Sequence, residues 1–396
     1  MRKIALVFPD VLPMPAVKGG ATETLIQRLI DDNEVDPRCV FYVFCRYDAT
    51  AEEQAAGYRY TKFCYLNEDN SLVGKIGFLL FRLRRKVSRS YVPEPYLLKL
   101  VERLKQENCD LVVVESVFWF IPFLKKKLTA PVLLHLHFDP VSMNRADLKQ
   151  SLSSSDGVIC VSRFIQNRIR QLTPEVNTWV LPNVVDTDQF CSCEEEAQAI
   201  RSRLGIDKAD KVVLFTGRLM EVKGVLELVQ AFQSAATQIP GIKLVIVGSA
   251  EYGQTVIDEY YQRLVNRIGE HLNRTIFMTG YVNHCDMPGY YAMADVSVMP
   301  TTLVEEAAGL SALEALAAGC YFIGSDSGAI PEVANCEYAT ILNRGEDFVE
   351  RLTGAIVEGV KMSRDSKLTS GQLHVRNSHN ACDYLLNFWT CIQESL

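Results

Sequence analysis

Twelve short apolar runs, rich in β-branched residues and separated by stretches of helical periodicity, constrain this chain more than any other feature. The first six are KIALVF (3–8), VFYVFC (40–45), DLVVVE (110–115), PVLLHL (131–136), GVICV (157–161) and TWVLP (178–182). The second six are KVVLFT (211–216), IKLVIV (242–247), TIFMTG (275–280), DVSVMP (295–300), CYFIGS (320–325) and ATIL (339–342). The runs are continuous rather than alternating, the pattern of strands covered on both faces. Strands that alternate with helices build parallel sheets through βαβ crossovers, so two sets predict an α/β protein of two Rossmann-like, doubly wound domains. The break is expected in the acidic, strand-free stretch 188–210. This gives an N-terminal domain over 1–187, a linker over 188–210, a C-terminal domain over 211–375 and a final helix over 376–396 that can return to the first domain. Ligands of such folds bind beyond the carboxyl ends of the strands, so two facing domains would share a central cleft.

Composition narrows the function. The net charge of −7 provides no global basic field for nucleic acid. The twelve cysteines include no CxxC pair, and CSC at 191–193 has no histidine-rich partner segment, so no metal site is expected. The opening MRKIALVFPD holds too short an apolar core for a signal peptide, and no apolar run nears the ~20 residues of a membrane span. Reduced thiols and a cytoplasmic location are the expectation.

Several motifs carry chemistry. GRLMEVKG (217–224) places Gly217 at a strand end, with Arg218 and Lys223 in the following βα loop. Two cations there suit a diphosphate, and a solvated loop with routine charges accounts for them equally well. In AVKGGATETL, Gly19 and Gly20 precede a helix bearing Glu23; paired glycines allow a backbone to approach phosphate or sugar, or merely loosen a loop. This is not the dinucleotide GxGxxG. LLHLHFD puts His135 and His137 on one face of a strand, His137 nearer its carboxyl end; the sequence offers no third metal ligand beside them. VEEAAGLSALEALAAG (304–319) holds Glu306 and Glu314, which on a continuous helix would lie about 80° apart. Gly309 argues instead for a helix start near Leu310 or Ser311, with Glu306 in the loop and Glu314 one turn inside, both near free N–H groups that attract anions. Finally, 71–91 carries Lys75, Arg82, Arg84, Arg85, Lys86 and Arg89 among Phe78, Leu79, Leu80 and Phe81, with no acid. Such a mixture suits peripheral contact with anionic lipid, and it also suits an ordinary amphipathic surface helix.

The ordered set GRLMEVKG, LVIVG (244–248), TGYV (279–282), YYAMADVSVMPT (290–301), EEAAGLSALEALAAG and GSDSGAIPEV (324–333) resembles the retaining GT-B glycosyltransferases of family four. KGGATE (18–23), His137, GVICVSRF (157–164) and LPNVVDTDQF (181–190) extend the likeness over nearly the whole chain. The resemblance implies transfer of a sugar from a nucleoside diphosphate sugar, UDP or GDP, to a hydroxyl of a glycan or lipid-linked glycan, with no cofactor and no metal. It implies that Glu306 faces the transferred sugar, that Glu314 takes the ribose hydroxyls and that Arg218 and Lys223 neutralise the diphosphate. His137 would lie near sugar and acceptor, Gly19 and Gly20 near the donor phosphate. Gly217, Gly248, Ala307, Ala308, Gly309 and Leu310 would line the donor, with Tyr281 and Val282 flanking the base. Two positions depart from the family pattern: Ala307 follows the first glutamate where glycine is usual, and Val184 replaces the glycine of NGVD. A sugar-nucleotide epimerase and a non-catalytic partner subunit of the same fold are the alternatives; the first would show no acceptor-dependent transfer, and the second should have lost the donor-binding charges.

Overall fold

A computed structural model of the chain describes residues 1–66, 94–191, 193–251, 253–302, 306–362 and 369–395. The basic segment 71–91 lies outside these described residues. The chain forms two compact units. The first comprises Met1–Val161, Ile165–Leu181 and Leu385–Leu396, and the second Ser162–Phe164 and Pro182–Tyr384.

The first unit holds a seven-stranded sheet in the order β3-β2-β1-β4-β5-β6-β7. Its strands are β1 (Arg2–Val7), β2 (Cys39–Arg46), β3 (Thr61–Leu66), β4 (Leu111–Glu115), β5 (Val132–Leu136), β6 (Gly157–Cys160) and β7 (Thr178–Val180), all paired in parallel. Six were expected. The additional strand, β3, is TKFCYL at the sheet edge, where Lys62 is solvated and pairs with Glu107 at 2.8 Å. An edge strand does not need two apolar faces, so β3 lacks the continuous run that marks the others.

The second unit holds six parallel strands in the order β10-β9-β8-β11-β12-β13. These are β8 (Lys211–Thr216), β9 (Ile242–Val247), β10 (Ile276–Gly280), β11 (Val296–Met299), β12 (Tyr321–Ser325) and β13 (Ala339–Leu342). Alternate residues feed two separate cores. Val212 and Leu214 of β8 and Val245 and Val247 of β9 face the helices Met287–Met293 and Leu310–Ala317. Val213, Phe215, Leu244 and Ile246 face the helices Val225–Ala236 and Phe348–Gly359. Burial on both faces is the reason the strand sequences are apolar throughout.

Residues 188–210 are built into the second unit as helices rather than as a bare connection. The helix Glu194–Leu204 opens on Glu194, Glu195 and Glu196, closes with Arg201 and Arg203, and stops at Gly205 in the left-handed region. That charge order complements the helix dipole. Arg203 donates to Tyr290 Oη at 2.6 Å and Arg201 to the Met293 carbonyl at 2.8 Å, fastening this helix to Met287–Met293. The C-terminal helix Tyr384–Ser395 packs within the first unit, where Phe388 meets Phe41 edge-on with ring centroids 6.2 Å apart.

Candidate functional site

In the second unit, the expected charged residues gather beyond the carboxyl ends of β8 and β11. Gly217 and Gly248 close β8 and β9, and the two loops touch. A Cβ on Gly248, whose φ is 143°, would stand 1.8 Å from the Gly217 carbonyl oxygen. Only glycine fits there, and the result is half-buried backbone free of side chains at two neighbouring strand ends. Arg218 follows, and Lys223 ends a short 3₁₀ turn, Glu221–Lys223.

Lys223 Nζ lies 2.6 Å from Glu306 Oε2, with both side chains mostly buried. Glu306 sits in a loop, as expected, and neighbouring groups fix its backbone. The Ala329 N–H donates to the Glu306 carbonyl at 2.7 Å. Gly328, with φ of 55°, lies so close that a Cβ would be 2.1 Å from that oxygen. Ser162 Oγ donates to the Ala307 carbonyl at 2.7 Å, and the Arg163 and Phe164 N–H groups donate to Glu332. Ser325 Oγ holds the Thr301 carbonyl at 2.7 Å, which Arg344 also reaches.

Ala307 and Ala308 are buried, and Gly309, left-handed with φ of 59°, caps the helix Leu310–Ala317. The helix therefore starts where its glycine predicted, and Glu314 falls one turn inside. Both Glu314 oxygens are engaged: Oε1 with His284 Nε2 at 3.0 Å, and Oε2 accepting from Tyr291 Oη at 2.8 Å. Tyr291 Oη also lies 2.6 Å from Thr216 Oγ1 at the end of β8. Burial, reinforced by the Glu314 charge, pushes the Tyr291 phenol well above its usual range, so it stays protonated as a donor. The hydrogen bond to Glu314 raises the His284 imidazole above its ordinary value against the opposing effect of burial. Tyr281 is half-buried, with its N–H donating to Thr255 Oγ1 at 3.0 Å, and Val282 packs on the core beside β10.

In the first unit, Gly19 and Gly20, with φ of 71° and 105°, precede the helix Ala21–Val35. The Glu23 carboxylate folds back over Gly20, where a Cβ would meet its Oε2 at 2.2 Å. Burial raises the Glu23 carboxyl. His135 and His137 share one face of the β5 end, with ring centroids 4.1 Å apart. The group the sequence did not place beside them is Glu115, the last residue of β4: its Oε2 is 2.7 Å from His137 Nε2 and 3.0 Å from His135 Nδ1. The three residues present one donor atom each within 4.8 Å, so the HxH pair does have a third potential ligand. Burial alone would raise the Glu115 carboxyl, but the two imidazoles hold it down at about 2. Burial and then His135 lower His137 to about 4 despite the carboxylate.

Sequence reasoning thus missed Glu115, His284, Tyr291 and Thr216. Glu115 left a signal, a single acid ending an otherwise apolar strand. Tyr291 and His284 left none, because their roles depend on which side chains Glu314 meets across the fold.

Two family models cover most of the chain: Glycosyl transferases group 1 matches residues 196–362, and Glycosyltransferase Family 4 matches 41–189. The chain is 26% identical over 342 residues to the lipopolysaccharide 1,2-N-acetylglucosaminetransferase of Salmonella typhimurium, covering 84% of this chain and 82% of that one. It is 28% identical over 311 residues to a GDP-mannose-dependent alpha-(1-6)-phosphatidylinositol monomannoside mannosyltransferase of Mycobacterium tuberculosis, covering 74% and 77%. Among solved structures, Anabaena HepE in complex with UDP-glucose superposes with a TM-score of 0.74 at 16% identity, over 99% of each chain.

Proposed function

Because the chain belongs to the group 1 glycosyltransferases of the GT-B fold, we propose that it moves a sugar from a nucleoside diphosphate sugar to a hydroxyl of a glycan or lipid-linked glycan, with retention of anomeric configuration. The single observation that carries this reading is the donor-type constellation in the second unit. Lys223 and Glu306 meet at 2.6 Å beside the glycine-lined strand ends, and Glu314 is held one turn inside the helix that follows. Persistence of these charges speaks against a non-catalytic partner subunit. The transferase activities for which these relatives are named favour acceptor-dependent transfer over epimerisation.

In this reading the second unit binds the donor and the first the acceptor. The vicinal hydroxyls of the ribose hydrogen-bond to Glu314, a carboxylate that Tyr291 holds in place. Charge developing on the leaving diphosphate is balanced by Arg218, Lys223 and the free N–H groups of the loop and helix start near Gly309. These cations supply the role a metal would otherwise fill. Glu306 carries negative charge to where positive charge grows on the sugar. Among the described residues no second carboxylate stands out beside Glu306 as a covalent nucleophile. A front-face route is therefore proposed, in which the leaving phosphate oxygen accepts the proton of the attacking hydroxyl. UDP and GDP are the favoured donor nucleotides, by likeness to proteins described with UDP-glucose and GDP-mannose. A place at the inner face of the cytoplasmic membrane fits a lipid-linked acceptor. Among the described residues no helix is long and apolar enough to cross a membrane.

A thermal-shift screen against UDP-, GDP-, ADP- and dTDP-sugars, followed by transfer assays with glycan and lipid-linked acceptors, tests the reading. A donor at 100 times its Kd adds about 2.7 kcal/mol of stability. Absence of a shift with every nucleotide sugar would overturn it, and donor turnover without any acceptor product would favour the epimerase.

A further inference from the structure

The mechanism above makes no use of Glu115 or His135, yet both are fully buried at the ends of β4 and β5. Burying a carboxylate is costly unless it is matched, so its partners identify what it is for. The close partner is His137, whose Nε2 lies 2.7 Å from Glu115 Oε2; an ionised carboxylate can only accept. His135 Nδ1 is 3.0 Å from the same oxygen but off the line of a hydrogen bond, and Glu115 Oε1 has no hydrogen-bond partner among the described residues. His137 remains slightly accessible, with a side-chain exposure of 6%, while Glu115 and His135 have none.

We infer that Glu115 is a positioning residue. It fixes His137 as the neutral tautomer protonated on Nε2, so that the Nδ1 lone pair is presented as acceptor to a hydroxyl of the bound sugar. A neutral imidazole has one donor and one acceptor nitrogen, and the bond made by one decides the role of the other. The depression of His137 to about 4, caused first by burial and then by His135, agrees with a ring that stays neutral at the pH of the reaction. The alternative use of this triad is a divalent metal. Ligands about 2.0–2.2 Å from one tetrahedral ion stand roughly 3.4 Å apart, whereas the closest pair here is at hydrogen-bond distance, 2.7 Å. The inference rests on the glycosyltransferase reading for the identity of the hydroxyl, but not for the tautomer.

The test uses the full chain labelled with ¹⁵N-histidine. Long-range ¹H–¹⁵N correlation at pH 7 should report the Nε2–H tautomer for His137, identified by its loss in His137→Ala. Glu115→Met removes the acceptor at similar volume and should yield mixed tautomers. It should lower kcat by about 10- to 100-fold, as for one misplaced buried hydrogen bond to the reacting sugar, with donor KM within about 2-fold. Glu115→Asp, which keeps a carboxylate, should recover part of both. An unchanged tautomer in Glu115→Met overturns the proposal whatever the activity. Should that variant fail to fold, an Nδ1–H tautomer in the wild type overturns it alone. One equivalent of zinc that survives dialysis against a chelator and depends on Glu115 would make the cluster a metal centre and also overturn it. A tautomer that responds as expected while His137→Ala keeps wild-type kcat instead sinks the sugar-facing role.

Discussion

Glu306→Gln should tighten the binding of free nucleoside diphosphate while it lowers turnover. Without ligand, Lys223 is held by Glu306 at 2.6 Å, both side chains being about five-sixths buried at 16% and 17% exposure. A diphosphate that takes Lys223 must compete with that carboxylate. Two unit charges 4 Å apart attract by about 4 kcal/mol at an effective dielectric of 20, before desolvation and ordering are subtracted. Exposed pairs keep about 0.2–1 kcal/mol of this net, and breaking a buried one costs about 3–5 kcal/mol. A mostly buried pair at the rim of a pocket falls between, at about 1–2 kcal/mol, or roughly 5- to 30-fold in Kd. Glutamine keeps the shape and removes both the competition and the repulsion between carboxylate and diphosphate, which act in the same direction. Turnover should fall about 10²-fold, as for one preorganised electrostatic group. Isothermal titration with UDP and GDP at fixed salt, paired with steady-state rates and a thermal melt as a folding control, decides it. Unchanged or weaker nucleotide binding in a folded Glu306→Gln variant would refute the argument, because Lys223 would then not be the diphosphate's cation or would not be held back by Glu306.

Three further outcomes follow from the same geometry. Glu314→Gln should weaken free nucleotide and nucleotide sugar alike and raise KM more than it lowers kcat, since the ribose is common to both; normal nucleotide affinity in titration would remove Glu314 from the donor site. His284 is raised above its ordinary value by Glu314 in the ligand-free protein, so ribose that displaces it releases a proton, and donor affinity should rise as pH climbs from about 6.5 through the raised value. The charged pair with Glu314 likewise stabilises the fold below 6.5 and is lost over the same window. Titrations across pH 6–8.5 should lose their slope in His284→Gln, and a slope retained there would assign the proton elsewhere. Gly328→Ala forces a Cβ to 2.1 Å from the Glu306 carbonyl at a left-handed φ, which should cost about 1–3 kcal/mol in thermal stability and misplace Glu306; a variant with wild-type melting and kcat would mean the loop yields freely.

The continuous apolar runs determined the two parallel sheets, because a strand covered on both faces has no polar side to show. That logic reaches twelve of the strands and fails at β3, where an edge position relaxes the requirement. Local backbone chemistry likewise determined the helix start at Leu310, since Gly309 in the left-handed region ends the loop whatever surrounds it. Residues 188–210 looked like a connection because they are acidic, yet Arg201 and Arg203 find partners on a helix some 90 positions away and anchor them. The identities of Lys223, Glu306, Glu314 and His137 were legible as motif positions; their pairings were not. Sequence spacing carries no information about which carboxylate meets which cation across the loops of different strands. Only the tertiary structure decided that Lys223 is held by Glu306 and Glu314 shared between Tyr291 and His284. It alone brought Glu115, at the end of β4, to His137 beyond the end of β5, because parallel register sets the ends of neighbouring strands side by side whatever length of chain runs between them.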